Sequence, residues 1–265
     1  MKIPISFTYK AVKIKNLFNK AKSKPSNSML YFTGGGESDN IGEEFVNYFT
    51  QYGNLKSTDT LLDVGCGAGR MAIPLTTFLT SGYYEGFDLF KDGVIWCKKN
   101  ISSEFPNFNF QVIDVYNKNY NPFGKIKSSE LKFPYSENSF DFVCTNSVFT
   151  HLLPKDFENY VSEIQNIIKK NGTFFSTFFI MNQESEELIN QNKSLFQFKY
   201  SNTNEFAALE NKLIEHAIAY KESYIKEILK RNGFENITIY FGSWCGRKNF
   251  LSMQDIVIAK KCDSI

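Results

Sequence analysis

The run Leu61-Leu62-Asp63-Val64-Gly65-Cys66-Gly67-Ala68-Gly69-Arg70 constrains the fold of this chain more than any other feature. The apolar residues before the glycines read as a short buried strand, and those after them recur at helical spacing. Glycine at every second position of the junction means a sharp turn whose backbone approaches something a Cβ would obstruct. A strand feeding a helix through such a turn opens an α/β sheet, and the N–H groups at the helix start suit an anionic group.

The rhythm that follows agrees with that opening. A helix is expected over residues 41–52, and strands over 60–64, 83–87, 109–113, 140–145 and 172–179. Helices over 68–79, 91–103 and 155–169 fall between the strands. Near the end, a helix over 221–231 stops at Asn232-Gly233, where glycine can take the left-handed cap. Strands over 237–241 and 254–259 then follow, joined by too few residues for a crossover helix, so they must pair antiparallel. The fold class is therefore α/β: a Rossmann-like, seven-stranded, mostly parallel sheet with a C-terminal antiparallel strand and helices on both faces. Residues 1–40 form an N-terminal basic arm or lid and 41–265 the domain; residues 180–220 break the rhythm and read as a helical lid insertion, both segments folding over the site.

Bulk properties narrow the partners. With 265 residues, 42% hydrophobic and 22% charged, the chain suits one folded domain with additions. The net charge of +2 hides an asymmetry: residues 1–24 hold seven lysines and no acid, which leaves 23 basic against 28 acidic groups, or −5, in the rest. An acidic body argues against a nucleic-acid partner. The basic arm suits an anionic membrane surface, a polyanionic substrate or a partner protein, or is simply solvated. Five cysteines without a C-x-x-C pair point to reduced thiols and a cytoplasmic location. No apolar stretch is long enough to span a membrane, and no His/Cys/carboxylate group has metal-ligand spacing, so no metal is expected.

Acidic residues at successive strand ends add specificity. Asp63-Val64-Gly65-Cys66-Gly67-Ala68-Gly69 is a full D-x-G-x-G-x-G; Asp88 ends the second strand, Asp114 ends the third, and Phe140-Asp141-Phe142-Val143-Cys144-Thr145-Asn146-Ser147 covers the fourth. In these residues the chain resembles the class I S-adenosylmethionine (SAM)-dependent methyltransferases, over about residues 41–180 and more loosely in the last two strands. The resemblance implies SAM as cofactor and S-adenosylhomocysteine as product. It places the turn of Gly65, Cys66, Gly67, Gly69 and Arg70 at the methionine carboxylate and Asp63 at the amino group. Asp88 with Leu89 falls at the ribose, Asp114 with Val115 at the adenine, and Asn146 at the entrance to the reaction centre. A nicotinamide-dependent dehydrogenase is the rival, but its fingerprint is G-x-G-x-x-G. A SAM-fold subunit without catalysis that binds a partner is a further alternative.

A hydroxyl acceptor needs a base. His151 lies just beyond the fourth strand, on the ligand side of an open parallel sheet, and is the candidate; packing before the Pro154 helix start is the other reading of it. His216 and Tyr220 in the insertion, and Trp244 and Arg247 in the last connection, are candidates for acceptor binding, with hairpin stabilisation the alternative for the last two. The overall pattern is similar to bacterial methyltransferases of surface-polysaccharide pathways. That implies O-methylation of a sugar or glycan-linked acceptor, phosphorylated or not; a small molecule outside glycan metabolism is the alternative.

Overall fold

The computed structural model describes residues 39–200 and 203–262, with the isolated positions Pro25, Ser26 and Met29. The expected basic arm lies outside the described residues.

Helix α1 (Asp39–Gln51) carries Phe45 and Phe49 on one face, and both rings pack against Phe175 at centroid distances of 6.3 and 4.8 Å. Strand β1 (Thr60–Val64) then leads through the glycine turn to α2 (Ala72–Phe78) and β2 (Tyr83–Asp88). Helix α2 starts four residues later than expected because Gly69 sits at φ +81°, a left-handed value that no right-handed helix accommodates. Helix α3 (Lys91–Cys97) widens into a π-helical turn over Lys98–Ser102 before β3 (Phe108–Val112). The chain next leaves the sheet and forms a two-residue pair, β4 (Val115–Tyr116) with β5 (Ile126–Lys127), which the sequence pattern did not indicate.

Strand β6 (Phe140–Thr145), helix α4 (Pro154–Ile167) and strand β7 (Ile168–Phe178) resume the alternation. The insertion corrects the helical expectation. It is built from β8 (Ile180–Met181), α5 (Gln183–Asn190), β9 (Phe206–Ala208) and β10 (Ile218–Lys221), the three strands forming a small sheet in the order β8-β10-β9. The cause is a period of two: Phe206, Ala208, Ile218 and Tyr220 point into the main core, whereas Ala207, Ala217 and Ala219 point into a second, smaller core around Trp244. Helix α6 (Glu222–Arg231), then β11 (Phe234–Tyr240) and β12 (Asp255–Lys261), complete the chain.

The main sheet has the order β11-β12-β7-β6-β1-β2-β3, and only β12 runs against its neighbours. One face packs on α4 and α6 and the other on α1, α2 and α3. From β1 the chain steps outward to β2 and β3, then returns to the other side at β6. Strand order reverses between β1 and β6, and a ligand cleft belongs at the carboxyl ends of those strands.

Candidate functional site

A cleft opens at that switch point. It is lined by Gly65 and Gly67 after β1, Asp88 and Leu89 after β2, Asn146 and His151 after β6, and Asn117 and Tyr120 from the stretch after β3. The turn is anchored to β2, since the N–H groups of Gly65 and Cys66 donate to the Phe87 carbonyl at 2.9 and 3.1 Å. A Cβ on Gly65 would stand 2.4 Å from Val148 Cγ2 and would need φ +82° besides. The turn and the segment after β6 thus touch only because residue 65 has no side chain.

Asp88 has one oxygen on the Gly67 N–H at 2.6 Å and the other on the Phe90 N–H at 2.7 Å. Burial pushes its carboxyl above the ordinary aspartate value, against the pull of those backbone donors. On the opposite wall, Asn146 has both side-chain polar atoms buried without a hydrogen-bond partner. Orphaned buried groups facing a cleft are groups that a ligand would satisfy.

Asp63 corrects the expectation placed on it. Side chains alternate along β1, so Leu62 and Val64 face the core on one side while Asp63 turns to the other. There it is 1% exposed, accepts from the Tyr84 hydroxyl at 2.8 Å and lies 3.6 Å from the Cys144 thiol. Burial pushes its carboxyl up to about 6, above the ~3.9 of an unfolded chain. Between those values the folded protein holds a proton that the unfolded chain does not, so this group opposes folding at neutral pH. The penalty begins to lift as pH falls through 6 and is gone only below about 4. Thermal unfolding should show the wild type gaining on Asp63→Asn by about 1–1.5 kcal/mol as pH drops from 8 to 5. Parallel curves for the two proteins would show that Asp63 is ionised throughout.

Asp114 is also displaced. It is exposed, and its carbonyl is used by the N–H groups of Lys125 and Ile126, each at 3.0 Å. Residues 115–127 loop out of the sheet after it, and Asn117 and Tyr120 of that loop, with Ser128 beyond it, reach the cleft wall instead. Val115 lies in the main core, while Cys66, Gly69 and Arg70 belong to the turn but do not line the cleft. Sequence reasoning passed over Asn117, Tyr120, Ser128 and Tyr160, all on the wall. For Asn117, Tyr120 and Ser128 the available signal was a long, tyrosine-bearing interval between the third and fourth strands with no helical pattern in it; Tyr160 lies on α4, outside that interval.

His151 ends a 3₁₀ turn over Phe149–His151 and lines the cleft. Its Nδ1 lies 3.0 Å from the Glu215 carbonyl. A carbonyl only accepts, so the proton sits on Nδ1 and Nε2 carries the basic lone pair. Burial holds the imidazole below the ordinary histidine value. The Tyr120 ring meets it edge-on at 5.4 Å between centroids.

The remaining four candidates lie outside the cleft wall. Tyr220 is fully buried and donates to the Leu152 carbonyl at 2.6 Å, beneath His151. Trp244 is likewise buried, with its Nε1 donating to Asp255 at 2.6 Å. Arg247 is 5% exposed and occupied by Asp255, Glu184 and Asn182. His216 sits half exposed against Glu210 at 2.7 Å. Tyr220, Trp244 and Arg247 hold the insertion and the last connection in place through these buried bonds, whereas His216 makes a surface pair only.

Among the described residues, no helix is long and apolar enough to cross a membrane. The family model described as Methyltransferase domain matches residues 40–239. An uncharacterized methyltransferase of Schizosaccharomyces pombe is 24% identical over 164 residues, 57% of this chain and 52% of that protein. The chain spans about half the length, or less, of the curated relatives it matches. A SAM-dependent methyltransferase of Methanosarcina mazei has the same fold at TM-score 0.55 and 18% identity, covering 81% of this chain and 97% of that one. Magnesium protoporphyrin IX methyltransferase of Synechocystis, solved with SAH bound, matches at TM-score 0.53 and 15% identity over 93% and 94% of the two chains.

Proposed function

The chain belongs to the family of SAM-dependent methyltransferase domains, and from that premise we propose that it methylates a hydroxyl of a small acceptor, with His151 as the base. Bound SAM supplies an electrophilic methyl group on a sulfonium; the protein's share is to align the acceptor, exclude water and take a proton.

The cleft suits that cofactor. The Gly65–Gly67 backbone would receive the methionine carboxylate, the unpartnered Asn146 side chain its amino group, and Asp88 the ribose hydroxyls. Asp88→Ala should weaken SAM binding in calorimetry by about 1.5–3 kcal/mol, the range for hydrogen bonds to a charged group. Unchanged affinity would move the ribose contact to another residue.

His151 carries the reading of the acceptor. Its ring is fixed through Nδ1, neutral by burial, and placed on the cleft wall, which is what a general base for a hydroxyl requires. A sugar or glycan-linked hydroxyl, phosphorylated or not, is the acceptor class this arrangement favours first, since such a hydroxyl does not ionise unaided. The test is labelled methyl transfer from SAM to a panel of nucleotide sugars, sugar phosphates, phenols and amines, with the methylated atom located in the product. O-methylation of a sugar is the expected result. Transfer to nitrogen or carbon would overturn the hydroxyl assignment, and transfer to phenols alone would overturn the sugar.

A further inference from the structure

The excursion between β3 and β6 joins lysines to outward-facing apolar side chains. From Tyr116 to Lys127 it carries Lys118, Lys125 and Lys127 and no acidic side chain. Its apolar side chains nonetheless face outward: Phe123 is 90% exposed, Tyr116 44% and Ile126 39%. The backbone is firmly built. Asn117 is buried, and its Oδ1 accepts from the N–H groups of Asn119 and Tyr120 at 2.9 and 3.0 Å; Asn117 and Asn121 also exchange backbone hydrogen bonds. This turn aims Tyr120 into the cleft and leaves Phe123 outside. The nearest acids in sequence are Asp114, which is exposed, and Glu130, which pairs with Lys127 at 2.9 Å.

We propose that this excursion docks the protein on an anionic lipid bilayer, with Phe123 entering the headgroup region and the lysines meeting lipid phosphates. Asn117 and Tyr120 of the same excursion line the cleft, so docking would bring the site close to the membrane surface. Charge complementarity selects the partner: lysines interleaved with outward aromatic and aliphatic groups are the signature of interfacial binding. Size argues the same way. Three exposed apolar side chains fall far short of the ~800 Å² per partner that a stable protein interface needs, whereas a shallow inserted ring needs only lysines beside it. The inference does not depend on which acceptor is methylated.

The test uses the full chain with vesicles of phosphatidylcholine, alone or mixed with phosphatidylglycerol. In Phe123→Trp, the new indole should shift to shorter emission wavelength and be quenched by lipids brominated on their acyl chains, in the anionic vesicles only. Phe123→Ser, and Lys125→Glu combined with Lys127→Glu, should each lower vesicle affinity by about tenfold or more, with SAM binding unchanged. Vesicle binding without quenching, or with wild-type affinity in both variants, would overturn the proposal and assign binding to the lysines of residues 1–24. A lipid-free dimer abolished by Phe123→Ser would overturn it too, in favour of a second copy of the chain.

Discussion

His151→Ala should lower the methyl-transfer rate by about 10²–10⁴ while SAM affinity stays within a few-fold, the usual span for loss of a general base. The Glu215 carbonyl fixes the tautomer, so the lone pair that must do the work is on Nε2. Burial lowers the imidazole from its ordinary 6.5, so the neutral form already dominates at neutral pH. The wild-type rate should climb with pH through a midpoint below 6.5 and then level off, and the variant should lose that limb. A purely structural His151 would show otherwise, with a lowered unfolding temperature and a modest change in rate. His216 is a poor substitute, since it stands half exposed against Glu210 and does not line the cleft. Were the variant to keep most of its rate, the acceptor would have to arrive already ionised, and the hydroxyl assignment would fail with the base.

The parts of this site legible in the sequence are those set by local geometry. A glycine turn after an apolar strand, and an acid at the end of the next strand, need only the two strands to be neighbours, and β1 and β2 are paired with Asp63 opposite Gly86. What could not be read is which face a residue takes. Asp63 sits at the right height but on the wrong side of β1, where Tyr84 and Cys144 already use its oxygens. Asp114 sits at the end of the right strand, but it is exposed, and Asn117 and Tyr120 of the excursion that follows it line the wall instead. Trp244 and Arg247 follow β11, yet one buried carboxylate, Asp255, draws both inward. The insertion did announce its strands through the period of two in Phe206-Ala207-Ala208 and Ile218-Ala219-Tyr220. Such short runs are hard to tell from pieces of a buried helix by apolar content alone.

The largest stability effect should come from Asp255, at the start of β12. It is fully buried and accepts from the N–H groups of Gly242 and Ile180, each at 2.7 Å, from Trp244 Nε1 at 2.6 Å and from Arg247 Nη1 at 3.1 Å. Burial pushes its carboxyl up to about 6 against the pull of these donors, so it is still a carboxylate at neutral pH. Arg247 in turn reaches Glu184 and Asn182 and lies over the Phe241 ring at 4.6 Å. One charge thus ties the end of the sheet to the beginning of the insertion. Asp255→Ala leaves a buried guanidinium without its buried partner and three N–H donors without an acceptor. That should cost about 3–5 kcal/mol, lowering the unfolding temperature by roughly ten degrees. Glu184→Ala removes the other acid, but its carboxylate is 59% exposed, so the loss should stay under about 1 kcal/mol. Equal losses in the two variants would sink this account of the cluster. The damage should also reach the site. The insertion that Asp255 anchors carries Glu215, whose carbonyl fixes His151. Asp255→Ala should therefore speed hydrogen exchange across residues 180–221 and, well below its unfolding temperature, depress turnover more than SAM affinity.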